Sequence, residues 1–170
     1  MQALHDELSG YGCFIRNAQQ DDAFMISEVA GRAWHNAYRD IYKTEDIRKW
    51  LLDNYSENVL EDHLSRIASD NSYQFLVSVC DDRITGFSEI RANSGRAELL
   101  RIYLDPDFIG KGLGKSLLAM GEKWLRTNNI RVLSLAVQKD NRLGLRFYFR
   151  NGFEIINSTH GDDLILEKIL

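Results

Sequence analysis

Very little in this chain argues for an unusual environment. It has one proline, two cysteines and no long apolar run. The absence of any stretch near about 20 apolar residues excludes an ordinary membrane-spanning helix. Lys and Arg do not exceed Asp and Glu, the formal net charge is −4 and the pI is about 5.6. No Lys/Arg run is available to neutralise a phosphate backbone, so no nucleic-acid partner is expected. Cys13 and Cys80 have no CxxC partner, so no metal site is expected. Both lie in apolar, strand-like stretches and are expected as reduced, buried thiols. Residues 1–10 have no apolar core and carry Asp6 and Glu7, which is not a signal peptide, so the expected compartment is the cytoplasm. What the chain does have is core material: 44% hydrophobic and 11% aromatic residues over 170 positions, enough for one domain covering 1–170.

Hydrophobic spacing orders the elements. Gly12 to Arg16 reads as a short strand. Gln20 to Tyr38 repeats apolar residues at three and four, with Asp21 and Asp22 at the start, where carboxylates suit the helix dipole. Thr44 and Ser56 open two further short helices. The period then becomes two, predicting strands over Tyr73–Cys80, Ile84–Ala92 and Ala97–Leu104 with turns at Asp81-Asp82-Arg83 and Asn93-Ser94-Gly95. Lys111 to Thr127 predicts an amphipathic helix. A strand over Arg131–Val137, a helix over Asn141–Phe149 and a closing hairpin around His160-Gly161-Asp162 complete the chain. Hairpins with two helical crossovers predict an α+β fold: a mixed, mostly antiparallel twisted sheet of about seven strands with helices on both faces.

One segment carries chemistry. The strand ending at Leu104 and Pro106 runs into Gly110, Gly112 and Gly114, with Lys111 and Lys115 between and after them. Glycines in a helix interior cost about 1 kcal/mol each relative to alanine, so three around a helix start point to a ligand rather than a plain turn. Free N–H groups at a helix start form an anion site, and a pyrophosphate is the natural guest. Two commoner motifs fail on count. A Walker A loop needs four residues between its first glycine and Gly-Lys-Ser, and Gly110 and Gly114 enclose three. A dinucleotide fingerprint needs glycine where Lys115 stands.

The segment Ile109-Gly110-Lys111-Gly112-Leu113-Gly114 resembles the Gln/Arg-x-x-Gly-x-Gly/Ala signature of the GCN5-related N-acetyltransferase (GNAT) superfamily, with Ile109 departing at the first position. A second stretch, from Asn141 through Tyr148 to Gly152-Phe153, resembles that family's Asn-x-x-Ala-x-x-x-Tyr-x-x-x-Gly-Phe pattern, with Gly144 in the alanine position. Within the superfamily the chain looks most like PaiA-type polyamine N-acetyltransferases. The pieces are Ala33-Trp34, Tyr38, Ile41-Tyr42, Glu98 to Leu104 and Phe147 to Phe153.

The resemblance implies the GNAT acyl-CoA acyltransferase fold, an α/β/α sandwich, with acetyl-CoA as co-substrate and no metal. It implies acetyl transfer to a primary amine, best matched by a small polyamine such as spermidine or spermine, by direct transfer in a ternary complex.

 The other readings it leaves open are protein N-terminal or lysine acetylation, another small amine, and a non-catalytic acyl-CoA-binding sensor. A small-molecule amine, rather than nucleic acid or membrane, is the expected partner, and a homodimer is compatible with the resemblance.

Residue roles follow from the same resemblance. The amides of Ile102, Tyr103 and Leu104 would bind the pantetheine arm and the acetyl carbonyl. Those of Gly110, Lys111, Gly112, Leu113, Gly114 and Lys115 would hold the pyrophosphate. A strand that splays from its neighbour leaves such amides unpaired, and one N–H aimed at the thioester oxygen stabilises a tetrahedral intermediate. Tyr148 would protonate the leaving thiolate, since a phenol near pKa 10 lies close to a thiol near about 8.5; otherwise it is a core aromatic. Asn141 would contact the cofactor, cap a helix, or both. The base is open: Ala136 stands where some relatives place a carboxylate, leaving Glu98 or Glu89, each equally an ordinary ion-paired residue. Trp34, His35 and Tyr38 would line the acceptor site or pack between helices.

Overall fold

The computed structural model describes residues 12–158 and 161–170. Residues 1–10, expected not to be a signal peptide, and His160 at the last turn lie outside the described residues. The strands are β1 (Cys13–Asn17), β2 (Tyr73–Cys80), β3 (Arg83–Asn93), β4 (Arg96–Leu104), β5 (Val132–Gln138), β6 (Glu154–Ser158) and β7 (Asp163–Ile169). They form one sheet in the order β1-β2-β3-β4-β5-β7-β6. Among the described residues only β4 and β5 run parallel; the other pairs are antiparallel. The helices are α1 (Ala23–Tyr38), α2 (Thr44–Tyr55), α3 (Glu57–Ile67), α4 (Leu113–Thr127) and α5 (Arg142–Arg150).

The alternation along β2 places the layers. Phe75, Val77 and Val79 pack with Ile26, Val29 and Ala30 of α1 and Leu60 and Leu64 of α3. Leu76 points the other way, against Ile15 and Leu117 of α4. Both faces of this strand are therefore covered, and Phe75 through Cys80 are all buried. In α4, Leu117, Leu118 and Leu125 are at most 2% exposed. Burying each stabilises the fold by about 1.5–3 kcal/mol. The helix ends where Asn129 takes a φ of 59° and the Ile130 N–H returns to the Leu125 carbonyl at 2.9 Å.

Three expectations change. The first helix begins at Ala23, after a 3-10 turn over Gln20–Asp22. Asp22 does not simply face a helix dipole there: it accepts the Gln19 N–H at 2.8 Å and pairs with Arg16 at 2.6 Å. The apolar repeats are also not wholly buried: Phe24 of α1 and Val59 of α3 are exposed, because each lies off the face that its helix packs. Most important, Cys13 and Cys80 are not reduced thiols but a disulfide. They are opposite each other in the β1–β2 register, with Cα atoms 4.2 Å apart, although 67 positions separate them in the chain. The bridge packs with Leu113, the first residue of α4, and with Leu104 and Phe108.

Candidate active site

The parallel pair β4–β5 is joined only over Arg96–Glu98 and Val132–Ser134. Beyond it the two strands part. β4 stays paired with β3 as far as Leu104, and β5 stays paired with β7 as far as Gln138. The β3–β4 register also slips at Leu100: Ile90 faces Leu99, but Glu89 faces Arg101. Such a bulge bends the strand and re-aims its side chains. The result is an open cleft of about 170 Å³ between the parted strands, α1 and α5.

At one end of the cleft stand Ile109 and Gly114. Gly110 and Gly112 have φ of 84° and 86°, and a Cβ at either would meet nothing within 4 Å. The requirement for glycine here is thus conformational, since L-residues disfavour positive φ. Gly112 is the N-cap of α4, so the N–H groups of Leu113, Gly114 and Lys115 begin the helix without partners in the preceding turn. The cradle is made of backbone, and Ile109 supplies only an apolar wall. Lys111 lies over the Phe108 ring at 4.4 Å.

Tyr148 lines the middle of the cleft from α5. Its ring is held edge-on by Phe147 and Phe153, at 5.4 and 5.7 Å. Burial raises its pKa first, and the neighbouring Tyr38 and Tyr55 phenols add to the shift. Tyr103 is raised well above the ordinary value, again by burial first and then by Tyr55, Tyr38 and Tyr148. The phenols stay neutral, so each is a hydrogen-bond donor. Asn141 does two jobs. Its carbonyl caps α5 by accepting the Gly144 N–H at 2.9 Å, and its amide donates to the Tyr38 hydroxyl at 3.1 Å. A Cβ at Gly144 would come within 2.9 Å of that side chain, so the departure from alanine makes room for it.

Of the residues expected from sequence, Tyr38, Ile102, Tyr103, Leu104, Gly114, Asn141 and Tyr148 meet along the cleft. Gly110, Lys111, Gly112, Leu113 and Lys115 form the loop and first helical turn at its end. Four others are elsewhere. Glu98 lies in the paired part of β4, against Arg91 at 3.1 Å. Trp34 stands behind the lining, 4.4 Å from Tyr38 and 6.1 Å from Tyr103 between ring centres. His35 is exposed and donates Nδ1–H to the Gly31 carbonyl at 2.7 Å. Glu89 is fully buried behind Arg101, between that residue and His63. Arg101 itself lines the cleft and was not singled out from sequence. Its visible signal was a charge at an otherwise apolar strand position, with a second, Glu89, on the strand before.

The parted strands, the glycine cradle and the helix start together suit a coenzyme A: an extended arm against β4 and a pyrophosphate at α4. Comparison with known proteins agrees. Residues 32–153 match the Acetyltransferase (GNAT) family. The chain is 36% identical, over 91% of its length and 95% of the relative's, to spermidine N(1)-acetyltransferase of Thermoplasma acidophilum. Its fold superposes on the crystal structure of PaiA N-acetyltransferase from the same organism in complex with coenzyme A, with a TM-score of 0.88 at 35% identity, covering 93% of this chain and 99% of that one. The ribosomal-protein-S18-alanine N-acetyltransferase of Escherichia coli shares the fold at 18% identity, with a TM-score of 0.68 over 92% and 93% of the two chains. This chain belongs to the GNAT family. It is an acetyl-CoA-dependent N-acetyltransferase. Among the described residues there is no cluster of side chains suited to a metal ion and no helix long and apolar enough to cross a membrane.

Proposed function

We propose that the acceptor is a primary amine of a linear polyamine such as spermidine or spermine, acetylated by direct transfer within a ternary complex. The observation that carries the direct route is the parting of β4 and β5 beside Tyr148. Bound acetyl-CoA supplies an activated acyl group; the chain supplies geometry and protons. Amides of the Ile102–Leu104 stretch are placed to hold the arm and to stabilise oxyanion charge. The amine lone pair attacks the carbonyl carbon, the C–S bond breaks, the Tyr148 hydroxyl gives its proton to the departing sulfur, and the surplus nitrogen proton passes through water back to the Tyr148 phenolate. The pKa of Tyr148, raised by burial, keeps it protonated for that role. Both cysteines are held in the disulfide, so no thiol of the chain offers an acyl-enzyme route.

Two features support a polycationic acceptor. The relative matched over most of both chains is a spermidine N(1)-acetyltransferase. In this chain, Tyr42 follows α1 next to Tyr38 at 5.7 Å, and its hydroxyl pKa is raised first by burial and then by the charges of Asp163, Asp162 and Asp140, of which Asp162 is paired with Lys139. Negative charge beside an aromatic face attracts an alkylammonium. The test is a panel of spermidine, spermine, short monoamines and peptides with free amines, read by thiol release. Polyamines are expected to give the highest kcat/KM; equal or better rates on peptides would overturn the substrate assignment.

A further inference from the structure

Arg101 belongs to the part of β4 that leaves β5, and it faces the cleft from there. Its Nε lies 2.8 Å from Glu89 Oε2. That contact is ionic and not aligned as a hydrogen bond, and Arg101 Nη1 is buried with no hydrogen-bond partner. The guanidinium also sits 5.0 Å from the centre of the Tyr55 ring. On the far side, Glu89 Oε1 accepts the Nε2–H of His63 at 2.6 Å. Arg66 donates to His63 Nδ1 at 2.9 Å, which leaves the ring proton on Nε2. Glu89 is 0% exposed. Its two oxygens are thus turned to a guanidinium and an imidazole N–H, an arrangement that anchors Arg101 rather than awaiting a substrate proton.

We propose that Arg101 sets the protonation state of the acceptor nitrogen: its fixed positive charge, presented to the cleft with Glu89 behind it, favours the free amine over the ammonium ion. The inference rests on the reading of the chain as an amine acetyltransferase. An alkylammonium has no lone pair, and an ordinary aliphatic amine is protonated up to about pH 10. A like charge nearby disfavours the protonated form. The nearest other groups are phenols, Tyr55 from α2, Tyr38 from α1, Tyr103 on β4 and Tyr148 on α5; the carboxylates of Asp140, Asp162 and Asp163 act from beyond Tyr42, where Asp162 is paired with Lys139, and oppose the arginine. The four phenols are held neutral by burial. Arg66 and His63 of α3 lie beyond Glu89. The proton of the ammonium leaves to solvent water through the cleft mouth. The free amine then forms the C–N bond as the C–S bond breaks. Tyr148 protonates the sulfur, and the second nitrogen proton passes through water to the Tyr148 phenolate, which restores the phenol. This device makes a carboxylate at Ala136 unnecessary.

The test is the pH dependence of kcat with saturating acetyl-CoA and spermidine. Arg101→Gln should move the acid limb up by about one pH unit, a loss of about tenfold near pH 7 that is recovered in alkali. Arg101→Lys should leave the limb close to its original position. Glu89→Gln should move it down, because the arginine charge is then uncompensated. A weakly basic fluorinated ethylamine, already neutral near pH 7, should show no such dependence on Arg101. Should either single variant fail to fold, the double variant Glu89→Gln/Arg101→Gln, which leaves no buried unpaired charge, should move the acid limb up by less than Arg101→Gln does, because the Glu89 charge is gone as well; an unmoved limb would overturn the proposal. Loss of activity at every pH in folded Glu89→Gln would make Glu89 the base and overturn the proposal. An equal loss at all pH values in Arg101→Gln would also overturn it. No acetylation of any amine by the unaltered protein would instead refute the functional reading itself.

Discussion

The two halves of the cleft are built from different materials. The cofactor half consists of backbone: the unpaired edge of β4, two glycines at positive φ and the first turn of α4. The proposed acceptor half is lined by side chains from distant elements, Tyr38 of α1 and Arg101 and Tyr103 of β4, with Trp34, Tyr55 of α2, His63 of α3 and Glu89 of β3 packed behind them. A backbone site tolerates changes of side chain so long as the chain can take the required path, which is why Ile109 can stand in place of a polar residue. A side-chain site is rewritten by single substitutions. One half is suited to a constant cofactor and the other to an acceptor that differs between relatives.

Tyr148 bridges the halves, and its removal should have the largest effect. Tyr148→Phe is expected to lower kcat by about a hundredfold or more while the KM for acetyl-CoA stays within about twofold. A small kcat change in steady-state assays would end its role as the acid. Next comes the disulfide. Replacing both cysteines, Cys13→Ser with Cys80→Ser, should destabilise the fold by about 2–4 kcal/mol, given the long loop it closes, and lower Tm measurably by calorimetry. Because the bridge packs under Leu113, the same variant should raise the KM for acetyl-CoA more than that for the amine. An equal rise in both would mean that the halves are mechanically inseparable.

Gly112→Val forces a β-branched residue to a φ of 86° and should cost about 1–2 kcal/mol at that residue. Titration calorimetry should show acetyl-CoA binding about tenfold weaker with the amine KM little altered. Unchanged binding would remove the cradle from the cofactor half. The smallest effect is expected at the rim. Tyr42→Ala should weaken spermidine by only a few-fold, in line with about 0.5–1 kcal/mol for an exposed cation–π contact, and leave a short monoamine unaffected. An equal effect on both amines would show that Tyr42 supports the fold rather than reading the acceptor's second charge.

The same division governs what could be read before folding. The order of strands and helices followed from local periodicity, and the strand over Tyr73–Cys80 has the limits its alternation predicts. The glycine cradle was legible because its rule is local: a positive φ and a helix start within a few residues. Asn141 and Tyr148 were legible because one short helix carries both. The acceptor half was not. Glu98 is an alternate-position carboxylate on a strand, as Glu89 is. Nothing local says that the first ends beside Arg91 in the paired part of the sheet and the second ends buried behind the cleft. The bulge at Leu100 sets which of the β4 side chains face Glu89, and a bulge changes the register without altering the composition.

By itself, the sequence determined the fold class and the coenzyme and pointed to Tyr148 as a cleft residue, because each depends on spacing within one or two adjoining elements. Only the tertiary structure decided which residues meet across elements. It joined Cys13 to Cys80 over 67 positions and Asn141 to Tyr38 over 103. It also set Arg101 against Glu89 and His63. These contacts are fixed by sheet register and by how helices pack on it, and both are settled by burial of the whole core rather than by any local run of residues.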